Sequence, residues 1–431
     1  MAGTYLNFPF DEDVFNYRWK QFQDPVLTAF LTSGAVVEDA EIARLIANGS
    51  DVFTTPYYSL LSDTAPVNYD GVTDITTEGN AGTTMSGIVF GRAKGWKETQ
   101  FVRDYNSGAD PMGYIASQVG AYWNHYRQKL LLGIAGGVAG VSAFSSHVID
   151  TNAAPTATVF GDACQTALGD NKNLLTMAVM HSYVAQQLAD MDLLEYRKYT
   201  DRMGVQRQLN VADFNGLTVI IDDSMPVSSR SGTAGVYTIT VAGTPASGDV
   251  LTVNGIQVTL DDTSAADATA AATALKAALD ADATFSANFS MSRSSGVITC
   301  TEKSGKYGLA GKPTASVSAS AGSTIAVATT TAGVTTGKDY KTFLFAPGFF
   351  RHATAPVTLP VEVARDAAKN GGMNMLYTRI RECYHPAGFS YTKPNSNYTA
   401  SPTDLQLFDS SNWSLVADAK TVGFVSVETQ D

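Results

Sequence analysis

The chain is poor in cysteine, in charge and in long apolar runs, and each shortage removes a class of protein. Only Cys164, Cys300 and Cys383 occur in 431 residues. They have no metal-ligand or redox spacing, and an odd count argues against a disulfide framework. They are expected as free thiols of a protein made in a reducing cytoplasm. Charged residues make up 16%, below the usual quarter or so. The net charge of −12 argues against a basic groove for nucleic acid. The longest apolar stretch, residues 130–141, is glycine-rich and too short for a bilayer. The first residues carry neither a basic region nor an apolar core, so no secretory signal is read there.

Catalytic motifs are missing too. The sequence has no P-loop, no His-Glu-x-x-His and no Gly-x-Ser-x-Gly. Its five histidines, His125, His147, His181, His352 and His385, are scattered singly. Asp222 and Asp223 are the nearest thing to an acid pair, but adjacent side chains at a strand end diverge. The Ser224-Met225-Pro226 immediately after them predicts a turn with Asx bonding. Catalytic, cofactor and metal sites are therefore all read as none.

What is present is sheet-forming and adhesive. The first 22 residues hold Tyr5, Phe8, Phe10, Phe15, Tyr17, Trp19 and Phe22, more aromatic surface than so short a segment can bury alone. Residues 24–48 read as helical, with a break near Ser33-Gly34. Residues 67–103 alternate glycine with β-formers and predict a long hairpin whose tip is Glu78-Gly79-Asn80-Ala81-Gly82. A lone two-stranded ribbon is marginal in water and needs a surface to lie on. The basic residues Arg92, Lys94, Lys97 and Arg103 on its returning arm read in two ways. They are either a solvated edge that discourages aggregation or an ion-pair strip against another subunit.

Asp110-Pro111 opens a helix. Ile115, Val119, Tyr122, Tyr126 and Leu130 carry it to about residue 134, where Gly133 to Gly137 are expected to end it. A second helix is expected over 173–199, then a buried strand over 217–221. From Ser229 to Lys338 the composition shifts to Ala, Thr, Ser, Gly and Val. Within that stretch Asn254-Gly255 joins strands 250–253 and 256–260, a strong hairpin signal. A helix over 265–279 and strands near 287–292, 296–301 and 316–330 complete a small α+β unit. Its expected core is Leu251, Val253, Ile256, Leu275, Leu279, Phe285, Phe289 and Ile298. Strands resume at 340–345, 361–363 and 375–384. Residues 401–431 read as a short packed tail.

This order of elements resembles the major capsid proteins of tailed bacteriophages, whose fold is shared with herpesvirus capsid floors and encapsulins. The run Gly216-Leu217-Thr218-Val219-Ile220-Ile221-Asp222-Asp223-Ser224-Met225-Pro226 is similar to an axial-domain strand of that family. Thr342-Phe343-Leu344-Phe345-Ala346-Pro347-Gly348 is similar to its partner strand, and residues 375–389 to the closing peripheral strand. The resemblance covers about three-quarters of the chain and implies an α+β phage major-capsid fold. Its parts would be an N-terminal arm (1–50) and an extended β-hairpin loop with its base (51–109). A peripheral domain with a spine helix (110–150 and 356–400) and an axial α/β domain (151–228 and 339–355) would come next. An inserted small α+β domain (229–338) and a C-terminal tail (401–431) complete it.

The implied function is that of a non-enzymatic head subunit, forming pentamers and hexamers around double-stranded DNA without sequence-specific binding. The implied partners are further copies of itself, a separate scaffolding protein, a portal and a decoration protein, with no membrane. The implied place is the virion capsid, assembled in the host bacterial cytoplasm. Candidate inter-subunit contacts are Phe8, Phe10, Trp19, Glu78, Asn80, Arg92, Lys94, Lys97 and Arg103. The competing readings are an encapsulin-like nanocompartment shell, a secreted adhesin or tail fibre, and a hydrolase using Asp222, Asp223 and His385.

Overall fold

The computed structural model describes residues 3–5, 8–10, 34–49, 51–58, 64–75, 77, 79, 82–105, 111–200, 206–214, 216–318, 322–392 and 401–431. The chain divides into two compact units. One comprises Met1–Pro226 and Tyr340–Gln430, the other Val227–Asp339 with Asp431.

The first unit is organised by an eight-stranded sheet. Seven of its strands run in the order Val148–Asp150, Phe424–Gln430, Gly337–Phe345, Met177–Met180, Leu217–Ile221, Gln206–Phe214 and Glu195–Thr200. The central strand Met177–Met180 is apolar and buried at every position because both faces of the sheet are covered. Met177, Val179, Ile220, Phe343, Phe345 and Phe424 point into a core shared with Leu131, Ile134 and Val138 of the long helix Pro111–Ala139. Ala178, Met180, Val219, Leu344 and Val427 point to the other face. There they meet Phe160, Ala163 and Leu168 of the helix Ala157–Leu168 and Val184 and Leu188 of the helix Ser182–Asp190.

A five-stranded sheet flanks this body. Met373–Pro386 lies at its centre, with Phe90–Thr99 along one edge and Val361–Asp366 and Phe350–Thr354 along the other. Val36–Glu38 then pairs in parallel with Phe350–Thr354.

Several sequence expectations change here. The helix expected over 24–48 is a strand, Val36–Glu38, and a short helix, Ala40–Ile46. β-Branched Val36 and Val37 favour extension, and the Asp39 carboxylate caps the short helix by accepting from the Glu41 and Ile42 N–H groups. Residues 24–33 of that expectation lie outside the described residues. The outgoing limb of the ribbon is Val52–Tyr58, paired with Gly82–Ile88, not the stretch after Val67. The described residues between 64 and 75 form no regular element. The long helix runs five residues past its expected end. The helix expected over 173–199 is a buried strand, Met177–Met180, then the nine-residue helix Ser182–Asp190 and the edge strand Glu195–Thr200. The supposed tail supplies the strand Phe424–Gln430, inside the main sheet.

The second unit has its own core. A four-stranded sheet runs in the order Phe289–Ser294, Val297–Glu302, Val236–Gly243, Ser323–Thr331, and a three-stranded sheet in the order Ile256–Thr259, Val250–Val253, Ala315–Ser318. Leu275 and Leu279 of the helix Ala268–Ala281 are fully buried with Leu251, Val253, Phe285, Phe289 and Ile298. Of the expected core residues, Ile256 alone is only partly buried. The strand Val236–Gly243, unassigned from sequence, buries Tyr237, Ile239 and Val241. The single strand expected over 316–330 is two strands in different sheets.

Candidate assembly surface

Arg92 and Lys94, two of the candidate contact residues, lie where the long helix crosses the five-stranded sheet. Phe90–Thr99 pairs with Met373–Pro386 over ten residues, from Phe90 opposite Glu382 to Thr99 opposite Met373. Residues directly opposed across strands share a face. One face therefore carries Phe90, Arg92, Lys94 and Trp96 with Glu382, Ile380, Thr378 and Leu376. The long helix lies on this face. Trp123 Nε1 donates to Thr378 Oγ1 at 3.1 Å. Arg127 donates through Nε to both Glu382 oxygens, at 3.1 and 3.0 Å, and through Nη2 to Oε1. Glu382 is nearly sealed from solvent, so this fork aligns helix and sheet.

The candidate cations have different fates. Arg92 donates through Nε and Nη2 to Asp404 Oδ1, at 3.0 and 2.6 Å, and through Nε to the Tyr126 hydroxyl at 2.7 Å. Its charge is already matched within the chain. Burial, together with Asp404 as acceptor, pushes the Tyr126 phenol upward. Lys94 is exposed, its Nζ 5.8 Å from the Tyr122 ring centre. Lys97 is exposed on the opposite face, because successive strand residues alternate. The four basic residues thus do not form one strip. Arg103 lies on the helix Gln100–Tyr105, its side chain outside the described residues. Gly3–Tyr5 and Phe8–Phe10 pair as two short strands, while the side chains of Phe8 and Phe10 lie outside the described residues. Trp19, Glu78 and Asn80 are outside them altogether.

The structure adds apolar residues that sequence reasoning passed over. Val361 and Val363 oppose Thr378 and Leu376, so they share the helix-covered face, yet they remain 58% and 67% exposed. Leu359 beside them is exposed as well. Tyr69, Val72 and Ile75 project into solvent from the segment after the ribbon's outgoing limb. Asp70 orders that segment by accepting from the Val72 and Thr73 N–H groups at 2.9 and 2.7 Å and from the Thr73 hydroxyl at 2.8 Å. These bonds, the Thr73 N–H first, hold the Asp70 carboxyl down to about 2. Exposed apolar groups mark a candidate contact surface where they join into one patch. The signal was present as Val-x-Val at 361–363, but alternation alone cannot say which face stays uncovered.

The acid pair has no catalytic geometry. Asp222 Oδ1 accepts from the Ser224 N–H at 2.8 Å, and Oδ2 accepts from Gln128. Asp223 points outward, and His385 belongs to the other sheet. Among the described residues no group of three or more His, Cys, Asp or Glu could hold a metal, and no helix is long and apolar enough to cross a membrane.

No protein-family model matches the chain. It is 29% identical over 228 residues to the major capsid protein of Bacillus phage SPP1, spanning 52% of this chain and 68% of that one. Among solved structures, the cyanophage Pam1 capsid aligns over 95% of this chain and 93% of its own, at 9% identity and TM-score 0.47. The Ralstonia phage GP4 capsid aligns over 92% and 87%, at 8% identity and TM-score 0.44. The SrpI encapsulin of Synechococcus elongatus aligns over 94% and 88%, at 7% identity and TM-score 0.40.

Proposed function

We infer that this chain is a major capsid protein, a structural subunit that assembles with copies of itself into a phage head. The observation that carries the reading is the 29% identity over 228 residues with the SPP1 major capsid protein. The physical argument runs alongside it. Tyr69, Val72, Ile75, Val361 and Val363 are displayed to solvent by ordered backbone. Each gains roughly 25 cal/mol per Å² only when a neighbour covers it. A contact between two different patches, repeated by rotation, closes a ring. Many such weak contacts make a stable shell.

Finer assignments belong to the same reading. Residues 1–50 act as an arm, 51–109 as an extended loop and its base, and 110–150 with 356–400 as the peripheral domain. Residues 151–228 with 339–355 act as the axial domain, 229–338 as an insertion and 401–431 as the tail. Phe8, Phe10, Trp19, Glu78, Asn80, Arg92, Lys94, Lys97 and Arg103 face neighbouring subunits, although Arg92 also donates within the chain to Asp404, Tyr126, Gly91 and Ser401. A separate scaffolding protein, a portal and a decoration protein act with it, and the shell holds double-stranded DNA without reading its sequence. Assembly takes place in the host cytoplasm.

The test is negative-stain microscopy and sedimentation of the purified chain, alone and with the scaffolding protein of its own genome. Closed shells or isolated rings of five and six support the reading. A monodisperse monomer under both conditions overturns it. Nuclease-sensitive DNA inside native particles, as against protein cargo, separates a phage head from a nanocompartment.

A further inference from the structure

His385 lies on the strand Met373–Pro386 and is 1% exposed. Neither ring nitrogen has a hydrogen-bond partner among the described residues. The ring forms part of the wall of a cavity of about 500 Å³, with Phe53 edge-on at 5.6 Å. Across the ladder stands Arg351, directly opposite. Arg351 Nη1 is 2.9 Å from Asp39 Oδ2. The other Asp39 oxygen accepts from the Glu41 and Ile42 N–H groups at 2.9 and 3.2 Å, and the Asp39 N–H donates to the His352 carbonyl at 2.9 Å. One aspartate thus ties three things together: the strand Val36–Glu38, the helix Ala40–Ile46 and the strand Phe350–Thr354. The rest of the attachment is a parallel ladder of three pairs, the Gly348 and Phe350 N–H groups donating to the Gly34 and Ala35 carbonyls at 2.8 and 2.9 Å, the burial of Ala35 in the main core, and the burial of Ile42 and Ile46 against Phe53, Val89, Ala353 and Cys383.

We infer that His385 is the proton-sensing residue of a latch that holds residues 34–46 on the strand Phe350–Thr354. While the imidazole is neutral, Arg351 is the cation that pairs with Asp39, and the cap and the ion pair coexist. A proton on His385 places a buried cation opposite the half-exposed Arg351 and competes with it for the Asp39 carboxylate. The groups that face the ring are Arg351 from the paired strand and Asp39 and Glu41 from the latched segment. Tyr57 faces it from the ribbon base, and Cys383 lies on its own strand. Burial foremost, then Arg351, holds the His385 pKa down to about 4, with Asp39 opposing. A released segment exposes the ring to water, where a histidine titrates near 6.5. Between those values the released state binds one proton more than the latched state. The latch is therefore fully closed above about pH 6.5 and weakens by about tenfold per pH unit as pH falls toward 4.

The test is hydrogen exchange of the full chain from pH 4.5 to 7.5, corrected for intrinsic rate, with peptides covering 36–46 read against the central strand 217–221. Protection of 36–46 is expected to fall about tenfold per pH unit below 6.5 relative to the control, and to lose that dependence in His385→Asn. Equal pH dependence of the two peptides overturns the inference, as does full dependence retained in His385→Asn. If that variant does not fold, histidine-labelled wild-type protein decides by NMR. A His385 resonance titrating near 4 while segment 36–46 remains protected supports the latch, and one titrating near 6.5 in the closed state sinks it.

Discussion

At the scale of single residues, position inside an element decides what a glycine or an acid is for. Gly133, Gly136 and Gly137 all lie in the long helix Pro111–Ala139, yet they do different work. A Cβ on Gly137 would sit 2.8 Å from the Phe408 carbonyl oxygen, which is backbone and cannot swing away. A Cβ on Gly136 meets only the tip of Phe343, at 3.9 Å. Gly137→Ala is expected to lower stability by about 2 kcal/mol through overpacking, while Gly136→Ala is expected to raise it by up to about 1 kcal/mol through helix propensity. Urea midpoints of the two variants should move in opposite directions. The same contrast holds for acids. Glu382 is buried, accepts the Arg127 fork and also accepts from the Tyr384 hydroxyl at 3.2 Å. Glu362 meets Arg379 at 2.8 Å in the open. Glu382→Gln should cost about 2 kcal/mol, the usual buried-pair loss discounted for a partly solvated Arg127. Glu362→Gln should cost less than about 0.5 kcal/mol. Equal losses would refute the alignment role given to the fork.

Elements were legible in the sequence to the extent that their signals were local. The Asn254-Gly255 hairpin lies where the sequence places it, with both residues left-handed at φ 47° and 84°. A Cβ on Gly255 would meet nothing within 4 Å, so Gly255→Ala should cost only the conformational part, about 1–2 kcal/mol. Exchange of the hairpin amides checks it, and a loss much beyond that range would point to a contact at the turn. The strand Leu217–Ile221 and the turn at Asp222 were equally local and equally visible. The failures needed partners distant in sequence. Glycines at 133, 136 and 137 look like a helix terminator, but Gly137 makes room for the backbone of Leu407 and Phe408 and Gly133 for the Phe408 ring. Leu174, Met177, Val184 and Leu188 fit a helical stripe, but Met177–Met180 is buried at all four positions because helices cover both faces of its sheet. Phe424–Gln430 reads as a tail because nothing nearby in sequence shows that it pairs with Val148–Asp150. The candidate contact surface was half legible. Lys94 and Lys97 are exposed on opposite faces, whereas the open apolar strip at 361–363 depends on where the long helix stops covering the sheet.

At the scale of the whole molecule, the division into two units makes a prediction that neither unit makes alone. Val227–Asp339 closes a core of its own, with Leu251, Leu275, Leu279 and Ile298 fully buried among its own residues. A unit that buries its apolar surface internally has no need of its host to fold, and one of this length should unfold in a single cooperative step. Residues 227–339 expressed alone are therefore expected to show one sigmoidal urea transition; a broad, non-cooperative one would mean that the core is completed elsewhere. The complementary deletion is the sharper test. The Lys341 N–H already donates to the Pro226 carbonyl at 3.3 Å, so the ends left by removing 227–339 are neighbours within the first unit. Closing so short a gap with a few Gly and Ser residues costs little loop entropy. The deletion removes Val227–Arg230 and Gly337–Asp339 from the main sheet but leaves the pairing of Phe343–Phe345 with Met177–Val179, so the shortened chain should keep a cooperative thermal transition. If the second unit is an addition to the shell subunit, the shortened chain should also still form particles of unchanged diameter. Loss of particles with the fold intact would give that unit a part in the contacts between subunits, beside whatever the exposed Val361 and Val363 supply.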